Sequence, residues 1–368
     1  MESEHDHFRS LDQDLVLDIM SRLDGCTLAA MASTCTCLSD AAREDRLWQK
    51  ICGDTWPSTS NRLLRVQIAS SNQGGFKSFY ANAFPLILYK ATREALENIP
   101  AGSANDTEPS PWDFMSLVDI YFKGSIICSK VVDGIMESTY GNCNDNVKRF
   151  LCYPFKLDLH SVHSPKDSSN YYQDFGSLED YTKLPPDAFK GYEDREDACK
   201  ELLQDLRLSW ILFDKRQGKA VNISSWKARS IYRSNPSANG YVLCFGCIIP
   251  IDDDNILTQP VAECVITAKC NLMIKQGCIK WKEITLVIKQ IDGSHLNGER
   301  SMVVMKQATN CTRSINHCLV ELGYQQFYKL KNELKWRNEQ EESSANILSA
   351  VTAIVTLLGI CYACATLF

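Results

Sequence analysis

The chain has 368 residues, of which 45% are hydrophobic, 10% aromatic and 23% charged. That composition can bury a large core and excludes intrinsic disorder as a description of the whole, and the length predicts roughly two to three domains. A formal net charge of -6 argues against broad phosphate-backbone binding, so no nucleic-acid partner is expected.

The first residues, MESEHDHFRSLDQD, are acidic and contain no apolar run, so no secretory signal is expected. The 17 cysteines are an odd number scattered over a long chain, unlike the dense framework of a small secreted domain. They are read as reduced thiols, most of them packed as small hydrophobes. For the same reason the Asn-x-Ser/Thr patterns at Asn105, Asn222 and Asn310 are not expected to carry glycans.

Leu15, Ile19 and Leu23 fall at i, i+4 and i+8 with Val16 and Met20 beside them, which predicts one apolar helical face. Asp24-Gly25 is expected to end that helix, with Gly25 in the left-handed position. Thr27 is read as the N-cap of a second helix carrying Leu28, Met31, Ala32, Cys35 and Leu38. A third helix is expected from Asp40 to Ile51, with Leu47, Trp48 and Ile51 inward. Three short helices make a small core, and such a unit commonly leaves an apolar patch for a partner. Periodicity alone is equally consistent with a self-contained helical hairpin.

The stretch LDQDLVLDIMSRLDGCTLAAMASTCTCLSDAAREDRLWQKIC resembles an F-box. It has Leu11, the L-x-x-x-I-x-x-x-L face, the LDG-x-x-L-A turn and the closing LW-x-x-x-C. The family's usual Pro after the first Leu is Asp12 here, which also favours a helix N-terminus. The resemblance implies binding to a Skp-type adaptor, and through it to a cullin. Carried over by position, Leu11, Leu15, Ile19, Leu23 and Leu28 would contribute to that interface.

The F-box is assigned residues 8–55 and a helical support region residues 56–100, in which Phe76, Phe79, Tyr80 and Phe84 are spaced for one helical face. The small, polar run AGSANDTEPSP, residues 101–111, is the best domain boundary. Beyond it, residues 112–320 are read as a β-rich domain. Lys123-Gly124 between two apolar runs is a hairpin signal. Further strands are expected over 150–159, 206–213, 220–222, 240–249, 261–274, 279–290 and 301–307. Turns are placed at 214–218, 276–277, 292–293 and 297–298. Residues 167–191 are read as a polar, mobile insertion. Many short strands broken by Gly, Asn and Asp predict an antiparallel sandwich, so the expected fold class is α+β.

Residues 321–342 continue as a juxtamembrane helix. From Ala345 to Phe368 there is no charged residue, and as a helix this run would reach about 36 Å against a hydrocarbon core of about 30 Å. Ile347, Val351, Ile354, Leu358 and Cys361 are the expected lipid-facing anchor. A buried core helix would usually keep a polar stripe; here only Asn346, Ser349, Thr352, Thr356 and Thr366 are polar. The expectation is a single-pass C-terminal anchor with the bulk in the cytosol, at the plasma membrane or endoplasmic reticulum. The upstream Lys329, Lys331, Lys335 and Arg337 are mixed with glutamates, so charge bias says little about orientation.

Two further resemblances touch the rest of the chain. LVDIYFKGSIICSK, FLCYPFKLDL and the C-terminal span are similar to a plant group of F-box proteins with a transmembrane tail, which includes cytokinin-induced members. LSWILFDKRQGKAVNISSWKARSIYR, VAECVITAKCNLMIKQG and ITLVIKQIDG are more weakly similar to phloem-lectin β-sandwiches. That likeness implies glycan binding through exposed Trp beside polar groups, but a Trp in a strand is more often core, and Trp210, Trp226 and Trp281 are read so.

No phosphate loop, zinc helix or nucleophile elbow occurs in the sequence. Cys244-x-x-Cys247 lies in a strand pattern that puts the two thiols on opposite faces, without a second pair. His160-x-x-His163 is read as a surface loop pair. No cofactor or metal is expected, and no cysteine has a local acid or base partner. The leading reading is therefore a non-catalytic substrate receptor of a cullin ubiquitin ligase, with an unknown protein substrate and a membrane-lipid contact. The alternative is a membrane-tethered protein- or glycan-binding module without degradation activity.

Overall fold

A computed structural model of the chain describes residues 12–71, 73–90, 109–135, 143–159, 182–185, 195–235, 240–251, 260–273 and 276–367. Leu11, most of the predicted linker, His160 and His163, and nearly all of the polar insertion lie outside these residues.

The N-terminal segment folds as α1 (Gln13–Met20), α2 (Gly25–Ala32), α3 (Thr36–Ala41) and α4 (Asp45–Thr55). It therefore contains four helices where three were expected. The second helix stops at Ala32 because the Ser33 and Thr34 hydroxyls donate to the carbonyls of Ala30 (2.6 Å) and Met31 (2.8 Å), while Cys35 turns to extended backbone before α3. Such local hydroxyl bonds compete with helix propagation. The cap of α2 is Asp24 rather than Thr27: its carboxylate accepts from the Thr27 N–H at 2.9 Å. Gly25 does not take the left-handed conformation; it sits in the first turn of α2, where a Cβ would collide with the Tyr80 ring.

A 3-10 turn (Pro57–Ser60), α5 (Arg62–Ser70) and α6 (Gly75–Ala83) follow. Phe76, Phe79 and Tyr80 are buried together on α6 as the spacing predicts, with Phe84 packed partly beside them.

The remainder is mixed, and its fold class is α+β. One sheet runs β13 (Arg313–Ser314), β1 (Leu86–Ile87), β7 (Lys219–Asn222), β6 (Leu206–Asp214), β2 (Phe114–Phe122), β3 (Ser125–Asp133), with β8 (Trp226–Lys227) also paired to β6. The other runs β4 (Leu157–Asp158), β12 (Cys278–Gln290), β11 (Val261–Met273), β10 (Gly240–Pro250), β9 (Ser230–Asn235), with β5 (Thr182–Lys183) on β12. Pairing is antiparallel except between β1 and β7, where Leu86 lies parallel to Asn222. The β2–β3 hairpin turns at Lys123 and Gly124, both at positive φ (50° and 77°), the geometry that matches strand twist in a two-residue loop.

The strand expected over 301–307 is helical, and the one expected over 150–159 is a strand only at 157–158, with 150–152 helical. Residues 143–152 form α7 (Cys143–Cys152), leaving only Leu157–Asp158 as strand, and residues 298–308 form α9 (Gly298–Ala308). Asn297, read as a turn, caps α9 by accepting from the Arg300 N–H at 3.0 Å. The buried positions of α9, Gly298, Ser301, Met302, Val304, Met305 and Ala308, follow a helical period even though Val303 and Val304 are β-branched. The sequence reading also missed α8 (Arg195–Asp205) and β9.

The layering positions everything else. All nine residues of β2 are buried. Phe114, Val118, Ile120 and Phe122 face the second sheet, together with Leu208, Trp210 and Leu212 of β6. Met115 and Leu117 point the other way, with Ile211 and Phe213, into the core of the N-terminal helices. The order is thus helices, first sheet, second sheet. A sheet covered on both faces gives continuous apolar runs such as FMSLVDIYF instead of alternation.

Candidate functional site

The Asp12 side chain caps α1 by accepting from the Asp14 N–H at 3.3 Å, in the place where the F-box pattern has Pro. The helix turns Val16 and Met20 inward and leaves Leu15 (47% exposed) and Ile19 (44%) in solvent, one turn apart. Leu23 is half-buried against the helical core, and Leu28 is fully buried within it. Of the residues expected at the adaptor interface, Leu15 and Ile19 are therefore brought together as an exposed apolar pair. Leu28 lies instead in the buried core with Val16 and Met20.

Several contacts hold this face in place. Lys50 donates to the Ser21 carbonyl at the end of α1 (2.7 Å), and Trp48 Nε1 donates to the Ala42 carbonyl (2.7 Å). Hydrogen bonds from Thr27 hold the Asp24 carboxyl below its usual range. Asp45, at the start of α4, accepts from the Phe76 N–H at the start of α6 (2.8 Å). Tyr80 packs against Trp48 and Trp56 with tilted rings, centroids 5.5 Å from each. The close approach of Tyr80 to α2 is what requires glycine at position 25.

The helices are tied to the first sheet by a buried polar cluster. Asp119, in the middle of β2, accepts from the Ser58 N–H (3.0 Å), the Ser58 hydroxyl and the Ser129 hydroxyl (2.6 Å). Burial pushes its carboxyl up to about 6, with the three hydrogen bonds opposing. Two residues along on the same face, Tyr121 donates to the Thr55 carbonyl at the end of α4. Phe79 packs on Phe213 of β6, centroids 6.0 Å apart.

The chain's last element, α10 (His317–Leu367), behaves differently along its length. Val320, Tyr324 and Phe327 are buried against Leu86, Tyr89, Ile248 and Val261. The Glu263 carboxylate accepts from Tyr328 (3.0 Å) and pairs with Lys331 (2.6 Å), and Arg229 lies over the Tyr324 ring. Beyond Leu334 the described side chains are exposed. These include Ile347, Val351, Ile354 and Leu358 of the expected anchor; the side chain of Cys361 lies outside the described set. Among the described residues this is one helix long and apolar enough to cross a membrane, and none of its apolar window is buried.

The chemical motifs are accounted for as packing. Cys247 is buried in the core opposite Cys264, while Cys244 is half-buried on the other face of β10. Gly246 between them, at φ 146°, has no room for a Cβ against the Cys264 carbonyl. Burial pushes the Cys270 and Cys311 thiols up to about 12, opposite to what a nucleophile requires. Among the described residues no three His, Cys, Asp or Glu side chains are grouped to hold a metal. Trp210 and Trp281 are buried, and Trp226 packs on Tyr121 with centroids 5.3 Å apart. Asn222, one of the Asn-x-Ser patterns, is buried and donates to Ser209.

Sequence reasoning missed Asp119, Ser58 and Glu263. A signal existed in two cases: a lone carboxylate within LVDIYF and another within VAECVI, each in a run otherwise fit for burial. Buried charges need partners. Ser58 had no such signal, since one serine in PSTS looks like any other.

With this geometry in view, comparison with known proteins is informative. The F-box-like family model matches residues 10–54, the segment of α1 to α4. Over nearly its whole length the chain is similar to three Arabidopsis thaliana proteins. F-box protein At2g27310 is 26% identical over 348 residues, 91% of this chain and 89% of the relative. F-box protein At3g44326 is 28% identical, covering 93% and 85%. Probable F-box protein At2g36090 is 26% identical, covering 92% and 86%. No solved structure matches. The chain thus carries an F-box-like segment in its four-helix module and is similar over about nine-tenths of its length to three plant F-box proteins.

Proposed function

We propose that the chain is the substrate-recognition subunit of an SCF-type cullin ubiquitin ligase, binding a Skp-type adaptor through α1 and held at a membrane by α10. The observation that carries the adaptor role is the pairing of an F-box-like segment at residues 10–54 with two exposed leucine-class side chains, Leu15 and Ile19. Large apolar side chains held in solvent by a rigid scaffold suit a partner's groove. The chain's own role is non-catalytic: it brings a protein substrate to the ligase through the β-rich layers, residues 112–320.

Tethering gives the recognition step a physical advantage. Substrates on the same membrane meet the receptor at raised effective concentration, so weak recognition by the sheets suffices. The bulk of the chain lies in the cytosol, where adaptor and cullin are present. Pull-down of the purified Skp-type adaptor by the full chain tests the central point. Binding by the wild type and its loss in a Leu15→Asp, Ile19→Asp double variant are expected; undiminished binding by that variant would show the interface to lie elsewhere.

A further inference from the structure

The short strand β8 sets two cations against each other. Arg207 of β6 lies directly opposite Lys227 of β8 and, on its other side, opposite Tyr121 of β2. Residues so paired share one face of the sheet, and like charges directly opposite repel. Among the described residues neither cation forms an ion pair: Asp205 acts on Arg207 through space, and Glu321 is taken by Arg229 at 3.3 Å. That last pair lays the first turns of α10 beside the segment after β8, which brings in His317. Burial, then Lys227 and Arg207, hold its imidazole below the usual value. Trp226, next to Lys227, stands at φ 64°, a left-handed conformation that is strained for a bulky side chain. Its indole packs on Tyr121, centroids 5.3 Å apart, and against the core at the base of α10.

We propose that Arg207, Lys227 and His317 form a docking site for an acidic segment of a protein substrate, whose carboxylates supply the missing counter-charge. The inference rests on the reading of the chain as a substrate receptor. Repulsion and backbone strain at one spot both oppose folding, and a bound carboxylate relieves the first. Arg207 donates to the Leu206 carbonyl at 2.8 Å and keeps the rest of its planar fork of donors for a carboxylate. Lys227 and His317 are exposed, so the site is open and suits a group carried on a larger molecule. Lipid is out of reach, because His317 stands about 42 Å before Ala345 on a helix rising about 1.5 Å per residue. A nucleic acid would need a tract of cations, and two on a chain of net charge -6 do not make one.

The test titrates fluorescein-labelled hexaglutamate into the detergent-solubilised full chain at low salt, read by fluorescence anisotropy. Binding by the wild type is expected, weakened about fivefold or more in an Arg207→Gln, Lys227→Gln variant, with none for hexaglutamine. A Lys282→Gln, Arg300→Gln variant loses the same charge at exposed positions elsewhere and should bind as the wild type does. Lys227→Gln alone removes the cross-strand repulsion, so it should melt no lower than the wild type. Absence of hexaglutamate binding, undiminished binding by the first variant, or equal weakening in both double variants overturns the site. Adaptor binding by the same preparations is read alongside. Its absence sinks the receptor reading and leaves the acidic-peptide site standing, whereas its presence without hexaglutamate binding sinks only the site.

Discussion

The backbone N–H of Ser58 reaches the carboxylate of Asp119 across 3.0 Å, joining the turn that follows α4 to the centre of strand β2. Both residues are buried, and the Ser58 and Ser129 hydroxyls complete the carboxylate's shell. The N-terminal helices and the sheets are consequently joined by packing and by a satisfied polar cluster, so displacement of one relative to the other breaks buried hydrogen bonds.

Asp119→Ala strands one buried N–H and two hydroxyls, and a stability loss of roughly 2–4 kcal/mol is expected in urea unfolding. Asp119→Asn keeps an acceptor for the Ser58 N–H and should cost about 1 kcal/mol or less at neutral pH.

The same carboxylate predicts a pH dependence. Its folded pKa, about 6, lies above the ordinary value of 3.8, so folding favours the protonated form. Its contribution is fully present below the ordinary value and is lost as pH rises through about 6, roughly 2–3 kcal/mol in all. The advantage of wild type over Asp119→Asn in unfolding free energy should shrink by that amount between about pH 4 and pH 7, because only the wild type titrates there. Parallel curves would contradict a buried titrating carboxylate.

Leu15 and Ile19 should separate from Leu28 in their effects. The double Asp substitution at the exposed pair should abolish adaptor binding while changing stability within about 0.5–1 kcal/mol. Leu28→Ala should cost about 2–5 kcal/mol and weaken binding only as the helices loosen. Thermal melts alongside adaptor pull-downs distinguish the two patterns.

Gly25→Ala places a methyl group against the Tyr80 ring. A loss of about 1–3 kcal/mol is expected, partly restored by a smaller side chain at position 80. A substitution without effect would mean that α2 and α6 are not in contact.

At the base of α10, Lys331→Met leaves the nearly buried Glu263 carboxylate with Tyr328 alone. Faster amide exchange over residues 317–334 and a loss of about 2–4 kcal/mol are expected. Truncation before Ala345, by contrast, removes side chains that make no core contact where they are described. It should leave the melting temperature unchanged and release the chain from membranes.

Much of this was legible in sequence. The faces of α1, α4 and α6 were fixed by apolar spacing, because a helix buries one stripe and that stripe recurs every three or four residues. Strands β2, β6, β10, β11 and β12 were equally plain, as long apolar runs between turn residues. Where the reading erred, local signals competed. Ser33 and Thr34 broke a helix that apolar spacing alone would have continued, and the β-branched Val303 and Val304 disguised the helical period of α9.

The F-box is where the two sources of information divide most clearly. Sequence by itself determined that Leu15 and Ile19 share a helical face, that the segment resembles an F-box, and that the final stretch is apolar enough to span a bilayer. Each depends on periodicity, pattern or composition along a short window. Only the tertiary structure decided that Leu15 and Ile19 are exposed while Leu28 is buried, that Asp119 is paired with Ser58, and that α10 is docked by Glu263 before it leaves the body. The last two depend on residues 61 to 68 positions apart, and contact between such distant residues is fixed by how whole layers pack.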